Sequence, residues 1–257
     1  MNRDKKIKIR NTAVYIILRF LIILTIVFAF LEKDYSSVFT SFLALLLFTI
    51  PDLVHNKFNI KLPTVLESVI YVFIFSAQIL GEVKNFYETF IYWDTLLHTI
   101  NGFIFAGIGF SLFELLNRSS KAKIFLSPIY ISVVAVLFSV SIGTFWEFFE
   151  YTGDNIAKSD MQKDVLINEI YTVSLSDKNK VERFENIKNT VITLDNGEII
   201  TIEGGYLDIG LRDTMKDMIV NLVGALVFAV FGYFYEKGVS KYDFAKNFIP
   251  TKKKGSN

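Results

Sequence analysis

Residues 13–31 read AVYIILRFLIILTIVFAFL, and this run decides the fold class. It is apolar apart from Arg19, and as a helix it is long enough to cross a hydrocarbon layer of about 30 Å. The composition agrees, because 52% of the chain is hydrophobic and the mean hydropathy is +0.40, which argues against a domain surrounded by water. The run therefore predicts a membrane-spanning helix.

Five further apolar runs have the same character. Each is long enough to span the hydrocarbon core as a helix, although the run at 64–80 is the shortest. The sequence therefore predicts an all-α polytopic membrane protein with six transmembrane helices and a polar insertion between helices five and six. The five runs cover residues 36–54, 64–80, 94–116, 124–149 and 217–235.

Lysine and arginine residues in the short connections predict the orientation, because basic residues are retained on the cytoplasmic side. The N-terminal segment, the connections after helices two and four, and the C-terminal tail are basic, whereas acidic residues outnumber Lys33 and Lys84 in the opposite loops. Both termini are therefore expected on the cytoplasmic side of the cell membrane. The basic residues are Arg3, Lys5, Lys6, Lys8, Arg10, Lys57, Lys61, Arg118, Lys121, Lys123, Lys237, Lys241, Lys246 and Lys252 to Lys254.

This pattern divides the chain into four segments. Residues 1–150 hold helices one to five, and residues 151–212 form the extracytoplasmic insertion. Residues 213–236 form helix six, and residues 237–257 are a basic cytoplasmic tail expected to be mobile near anionic lipid. The N-terminal segment resembles a signal peptide, but the run that follows is long enough to span and no small-residue cleavage site precedes Glu32. An uncleaved first helix is therefore expected.

The insertion carries a β-hairpin signal. Residues 190–194 and 198–202 are rich in β-branched residues and flank Asn196-Gly197, a dipeptide that suits a tight type I′ turn. Residues 166–175 are a candidate third strand. Because a small β element is marginal alone, we expect it to rest on the helix ends as a cap, and a loosely ordered loop is the alternative.

The net charge and the cysteine content limit which other functions the chain can have. A net charge of +1, without a basic stripe interleaved with aromatic residues, gives no support for nucleic-acid binding. With no cysteine, the chain forms no disulfides and offers no thiolate. Any metal site must therefore use His, Asp or Glu.

Three polar blocks lie where helices four, five and six are predicted to meet the outer surface. They read WDTLLHTING at 93–102, GTFWEFFEYTGD at 143–154 and RDTMKDMIVNLVG at 212–224. Their charged and amide residues recur at spacings of three, four or seven, which places each set on one helical face. The candidate site residues are Trp93, Asp94, His98, Asn101, Trp146, Glu147, Glu150, Asp154, Asp213, Asp217 and Asn221.

The blocks have a capping interpretation and a metal-binding one. Asp94 and Asp213 open helices and would serve as caps for free backbone N–H groups. Glu147 and Glu150 lie at a helix C-terminus, where the macrodipole disfavours anions, so a compensating positive charge or bound cation is expected. A histidine among carboxylates suits Zn, Mn or Fe better than Ca or Mg. The predicted metal ligands are Asp94, His98, Glu147, Glu150, Asp213 and Asp217.

Taken together, the three blocks resemble the YjdF-like family of bacterial membrane-spanning proteins of unknown function. More distantly, the pattern is similar to that of the VanZ-like family, with Glu150 at the position where that family has Gln. The resemblance implies a multi-pass bacterial membrane protein whose polar residues gather at one site. The matching residues are Trp93-Asp94 with His98, Trp146-Glu147 with Glu150, and Asp213-Thr214 with Asp217, Asn221 and Gly224.

These residues predict three candidate functions. The first is a membrane-embedded enzyme acting on a lipid or lipid-linked envelope substrate, with His98, Glu147 and Asp217 as catalytic residues and a cation or His98 as the electrophile. The second is a transporter or ion-binding protein whose carboxylates exchange protons or a cation. The third is a structural or accessory subunit, in which the cluster is a stabilising polar network. The expected partners are the lipid bilayer and an amphiphilic substrate.

Overall fold

The computed structural model describes residues 3–57, 60–117 and 126–252, which are mostly helical. Long helices form where apolar residues are continuous, because a helix satisfies its backbone hydrogen bonds internally, as a hydrocarbon surrounding requires. The helices are α1 (Arg3–Leu31), α2 (Tyr35–Leu47), α3 (Ile50–Lys57), α4 (Thr64–Phe75), a π-helix (Ser76–Val83), α5 (Phe86–Thr89), α6 (Trp93–Asn117), α7 (Pro128–Ala157), α8 (Leu211–Glu236) and a 3-10 helix (Ser240–Asn247).

Six helical segments are long and apolar enough to cross a membrane, which confirms the predicted spans. Two of them are composite, because α2 and α3 together form the second and α4 continues into the π-helix to form the third. Pro51 lies in the first turn of α3, where a missing N–H group is tolerated. The six segments are Thr12–Leu31, Tyr35–Lys57, Thr64–Val83, Trp93–Glu114, Pro128–Ala157 and Leu211–Glu236.

The chain divides into two compact units, residues 1–143 with 217–257 and residues 144–216, and α7 runs from the first into the second. In the first unit, α6, α7 and α8 enclose an apolar core cluster. The rings of Phe110 and Phe228 are fully buried in it and meet edge to face, with centroids 5.9 Å apart. The buried members of the core cluster are Ala106, Phe110, Ile131, Ala135, Ala225, Phe228, Ala245 and Ile249.

The C-terminal segment folds back onto the first unit, so the expectation of a mobile tail is wrong for the part that the structure describes. Ala245 and Ile249 are buried in the core cluster, and β8 (Thr251–Lys252) pairs antiparallel with β1 (Ile60–Lys61). The prediction of a mobile tail was based on its basic residues, whereas the apolar residues between them are buried and so hold the segment in place. Other basic residues of the orientation pattern, namely Arg118, Lys121, Lys123, Lys253 and Lys254, lie outside the described residues, as does the start of the run 124–149.

The second unit contains three antiparallel strand pairs. The predicted hairpin is confirmed, whereas the candidate strand 166–175 is wrong as a single strand, because it forms parts of two strands with different partners. Thr190 links two pairs, since its Oγ1 donates to the Gly205 carbonyl and accepts from the Leu207 N–H, both at 2.9 Å. The pairs are β2 (Asp164–Ile167) with β7 (Tyr206–Ile209), β3 (Ile170–Thr172) with β4 (Glu182–Phe184), and β5 (Asn189–Thr193) with β6 (Ile199–Glu203).

The turn of the β5–β6 hairpin is not the predicted type I′ turn. The Leu194 N–H donates to the Glu198 carbonyl and the Gly197 N–H donates to the Leu194 carbonyl, both at 2.9 Å, which leaves a three-residue loop. Within this loop only Gly197 has a positive φ, at 85°, whereas a type I′ turn needs positive φ at two residues. The arrangement fits a type I turn followed by a glycine bulge.

Candidate functional site

Two close backbone contacts bring α6 and α8 together. A Cβ atom on Gly102 would lie 2.0 Å from the carbonyl oxygen of Asn221, and one on Gly224 would lie 2.0 Å from that of Thr99. Only a residue without a side chain allows helices to approach this closely, as in the small-residue contacts of membrane helices. These contacts fix the rotation of α8 against α6 and so decide which side chains meet.

The side chains that meet are Asp94, His98 and Asp217. His98 Nε2 lies 3.3 Å from Asp94 Oδ1 and 3.8 Å from Asp217 Oδ2, and the three potential ligand atoms lie within 4.8 Å of one another. His98 is 8% exposed and Asp217 is 1% exposed, whereas Asp94 is half-buried. Burying charge is costly, and a positive charge on His98 or on a bound cation would stabilise the two carboxylates.

Asn221 and Ser139 connect the cluster to a third helix, α7. The Asn221 side chain is 1% exposed, and its Nδ2 donates to the Ser139 carbonyl at 3.4 Å. Ser139 Oγ donates in turn to the Gly102 carbonyl at 2.8 Å. A Cβ atom on Gly143 would lie 2.7 Å from Asn221 Nδ2, so this glycine makes room for the amide. The sequence predicts Asn221 as a site residue but misses Ser139, whose only signal is its spacing of four from Gly143 in an apolar helix.

One polar atom near the cluster is still available to a ligand. Asn221 Oδ1 is buried and accepts no hydrogen bond from any residue that the structure describes. Asn221 lies one helical turn beyond Asp217 on α8, and buried amide oxygens normally have a partner. The amide can therefore add an oxygen acceptor beside the carboxylates.

The three ligand atoms suit a divalent transition metal. Ligand atoms about 2.1 Å from a tetrahedral ion lie about 3.4 Å apart, close to the 3.3 and 3.8 Å measured from His98 Nε2. One imidazole nitrogen and two carboxylate oxygens favour Zn, Mn or Fe over Ca or Mg. Three protein ligands leave coordination positions open, which is the arrangement of catalytic rather than structural zinc sites.

Glu147 and Glu150 belong to the second unit and lie ten and seven residues before the end of α7 at Ala157, so the expectation that they lie at a helix C-terminus is wrong. Both are buried, with exposed fractions of 4% and 9%. Trp146 Nε1 donates to Glu150 Oε1 at 2.9 Å, so this carboxylate has a partner on its own helix. Among the described residues, the group close enough to hold a metal contains neither glutamate. The roles of Glu147 and Glu150 as ligands, and of Glu147 in catalysis, stay predictions.

Asp154 and Asp213 hold the chain that follows α7. Asp154 accepts from the Gln162 N–H, and Asp213 accepts from the Lys163 N–H, both at 2.9 Å. Lys216 Nζ also lies 3.6 Å from Asp213 Oδ1. A carboxylate at the start of a helix that accepts a backbone N–H stabilises the fold without a bound metal. The N–H that donates to Asp213 belongs to a distant part of the chain, whereas the Arg212 N–H at the start of α8 donates to Asp208 Oδ2 at 2.7 Å. The predicted metal-ligand role of Asp213 stays a prediction.

Trp93 and Asn101 lie on α6 on either side of the cluster residues of that helix. The Trp93 ring packs against Phe86 and Phe90, with centroids 5.0 and 6.4 Å apart. Its Nε1 is buried without a hydrogen-bond acceptor in the described part of the chain, and Asn101 is half-buried. Trp93 therefore anchors the start of the helix that carries the histidine.

Six membrane-crossing helices with a buried cluster of one histidine and two aspartates define a multi-pass membrane protein. The profile of the family described as predicted membrane protein (DUF2238) matches residues 13–238, and the chain belongs to this family. This is the YjdF-like family that the three polar blocks resemble. The comparisons give no support to the more distant VanZ-like likeness.

One curated relative is similar over part of its length. It comes from Thermotoga maritima, is described as an uncharacterized protein, and is 31% identical over 84 residues. The alignment covers 32% of this chain and 41% of the relative, so the chain spans less than half the length of that protein. No solved structure matches the chain.

Proposed function

We propose that this protein is a metal-dependent membrane enzyme that acts on a lipid or lipid-linked substrate at the cluster of Asp94, His98 and Asp217. The observation that carries the proposal is the convergence of one imidazole and two carboxylates in a unit built from membrane-spanning helices. Ionisable residues within a membrane are costly and commonly mark ion or substrate sites. A divalent ion held there would act as a Lewis acid on a substrate oxygen.

Metal analysis tests the first half of the proposal. Purified wild-type protein should carry about one Zn, Mn or Fe per chain, and the variants His98→Ala and Asp217→Asn should lose most of it. The chain offers matched controls, since its other histidine, His55, and another helical aspartate, Asp52, both lie on α3. His55→Ala and Asp52→Asn should keep wild-type metal content. Metal-free wild-type protein, even after incubation with each ion, would overturn the proposal.

The catalytic half needs a separate measurement. Metal-loaded protein would be incubated in nanodiscs made from a bacterial polar lipid extract, and the lipids would be compared by mass spectrometry with those from the His98→Ala sample. A lipid or lipid-linked species should be consumed only in the wild-type sample. If metal binds stoichiometrically but no species changes, the site is a binding or structural site and the enzymatic assignment fails.

The packing around the cluster gives less support to transport. Along α6, the apolar core cluster begins at Ala106, eight residues or about 12 Å beyond His98. Phe110, Phe228 and Ile249 are buried in this layer, and Ser111 and Ser132 are buried polar residues at the same depth. A conducting pathway would need a continuous line of polar groups or a cavity through such a layer, and two separate serines do not form one. The packing therefore favours chemistry at one membrane face.

The distribution of basic residues supports an orientation in which both termini are cytoplasmic and the cluster faces the other side. Because the chain has no cysteine, single introduced cysteines report the orientation directly. A cysteine replacing Ser174 in the second unit should react with a membrane-impermeant maleimide in intact cells. One replacing Ser240 should react only after the cells are permeabilised, and the reverse pattern would invert the orientation.

A further inference from the structure

The first unit contains a second site, a groove of about 480 Å³ between α1, the start of α2 and the π-helix. Its walls are apolar, with Leu21, Leu24 and Phe28 on one side and Ile79 and Leu80 on the other. From Leu21 to Glu32, α1 rises about 16 Å, half of a hydrocarbon core of about 30 Å. The groove therefore has the depth of one leaflet.

Charged and polar residues gather at one end of this groove. Glu32 begins the turn after α1, Asp34 caps α2 by accepting from the Ser37 N–H at 3.1 Å, and Lys84 follows the π-helix. The hydrogen bonds from Ser37 hold the pKa of Asp34 below its usual range, so this group stays a carboxylate. No ion pair joins Glu32 or Asp34 to Lys84 in the part of the chain that the structure describes. Opposite charges thus line one rim without neutralising each other.

The π-helix sets the shape of the groove and the position of Lys84. The Lys84 N–H donates to the Ile79 carbonyl at 3.0 Å, a spacing of five residues that widens the last turn. Such π-helical turns are rare and occur frequently at functional sites. Here the widened segment brings Ile79, Leu80 and Val83 to the same wall and places the lysine at its polar end.

We propose that this groove binds one zwitterionic phospholipid, with an acyl chain along α1 and the π-helix, the phosphate at Lys84 and the ammonium group at Glu32 and Asp34. An apolar channel one leaflet deep matches the length of an acyl chain. A rim with positive and negative charges complements a head group that carries a phosphate and an ammonium group. An anionic phospholipid has the phosphate but lacks the ammonium group. The carboxylates would therefore disfavour it.

Native mass spectrometry of the whole protein tests this assignment. Wild-type protein would be released from nanodiscs that contain equal amounts of phosphatidylethanolamine and phosphatidylglycerol. It should retain one phosphatidylethanolamine per chain. Lys84→Gln should lower that occupancy by about fivefold, the effect of one lysine at a lipid surface. Lys33→Gln is the matched control, because Lys33 lies in the turn between Glu32 and Asp34 but does not line the groove.

A second pair of variants tests the acyl-chain channel. Thr25→Trp fills the groove and should abolish retention, whereas Val27→Trp adds the same bulk at a position that is 49% exposed and does not line it. Equal retention by these two variants, or equal retention of both lipids by the wild type, would mean ordinary lipid around the helices and overturn the proposal. If Thr25→Trp fails to fold, the two lysine variants and the lipid preference decide it.

Discussion

Gly102 on α6 lies against the backbone of Asn221 on α8, so closely that a Cβ atom on Gly102 would lie 2.0 Å from the Asn221 carbonyl oxygen. Asp217 lies one turn before Asn221 on α8, and His98 lies one turn before Gly102 on α6. These two side chains contact each other. The closest contact between the two helices is therefore also the contact that aligns the cluster. The glycine at position 102 therefore determines both how closely α6 and α8 pack and where Asp217 lies relative to His98.

Gly102→Ala should consequently damage both stability and the site. The added methyl group meets backbone rather than a flexible side chain, so the helices must separate, at a cost of about 1–3 kcal/mol. Thermal unfolding in detergent should shift downwards, and metal content should fall as Asp217 moves away from His98. Ser141→Thr, which adds a methyl group at an exposed position of α7, should change neither quantity.

Metal binding should make the unfolding temperature depend on metal. A ligand that binds only the folded state at 100 times its Kd stabilises that state by about 2.7 kcal/mol. Treatment with a chelator should lower Tm and addition of the native ion should restore it. His98→Ala should have the lower Tm and show no response to either treatment, while His55→Ala behaves as the wild type. A chelator response that persists in His98→Ala would locate the ion elsewhere.

The periodicity of the sequence predicted which residues share a helical face but not which faces meet. Asp94 and His98 are four residues apart on one helix, so their proximity follows from the sequence. Asp217 joins them only because Gly102 and Gly224 allow close contact, and the sequence shows these as small residues without indicating their partners. Ser139 is an ordinary polar residue within an apolar run until its hydrogen bond to the Gly102 carbonyl is seen.

Other features were hidden because their sequences fit a regular helix or a polar tail. The π-helix at Ser76–Val83 continues an apolar helix without a proline, so the periodicity gives no sign of the widened turns. The segment after Glu236 is rich in lysine, and its buried residues Ala245, Ile249 and Pro250 are too few to form a recognisable pattern. Tertiary packing, rather than local preference, determines both.

Asp213→Ala should loosen the chain after α7 without removing metal. It removes the acceptor for the Lys163 N–H and the ion pair with Lys216, and leaves the Asp94, His98 and Asp217 cluster intact. Leaving a part-buried backbone N–H without its acceptor costs about 1–3 kcal/mol locally. Hydrogen exchange at residues 158–164 should accelerate while metal content stays at the wild-type level. Loss of metal in this variant would support the predicted role of Asp213 as a metal ligand.

The β3–β4 pair should weaken in acid through Glu169. The hydrogen bond from Arg183, followed by that from Tyr171, holds the pKa of Glu169 below its ordinary value of 4.5. A lowered folded-state pKa gives stability that is present above 4.5 and is lost as the pH falls through the lowered value. Hydrogen exchange at Ile170 and Phe184 should therefore be faster in Glu169→Gln than in the wild type at neutral pH.

This difference between Glu169→Gln and the wild type should shrink as the pH falls below 4.5 and through the lowered pKa of Glu169, where the wild-type carboxylate also becomes neutral. Glu203→Gln, on β6, which pairs with β5, is the control and should match the wild type in β3–β4 exchange throughout. A difference that does not change with pH would mean that the glutamate acts through packing rather than through its charge.

Ile249 tests whether the C-terminal segment belongs to the fold. Its side chain is 2% exposed within the core cluster of α6, α7 and α8, so Ile249→Ala removes buried methyl groups and leaves a cavity, at a cost of about 2–5 kcal/mol. Tm should fall markedly, and hydrogen exchange at Thr251, whose strand pairs with Lys61, should accelerate. Val239→Ala shortens a β-branched residue that is exposed in the same segment and should have little effect. Equal Tm values for the two variants would show that the segment contributes nothing to the stability of the first unit.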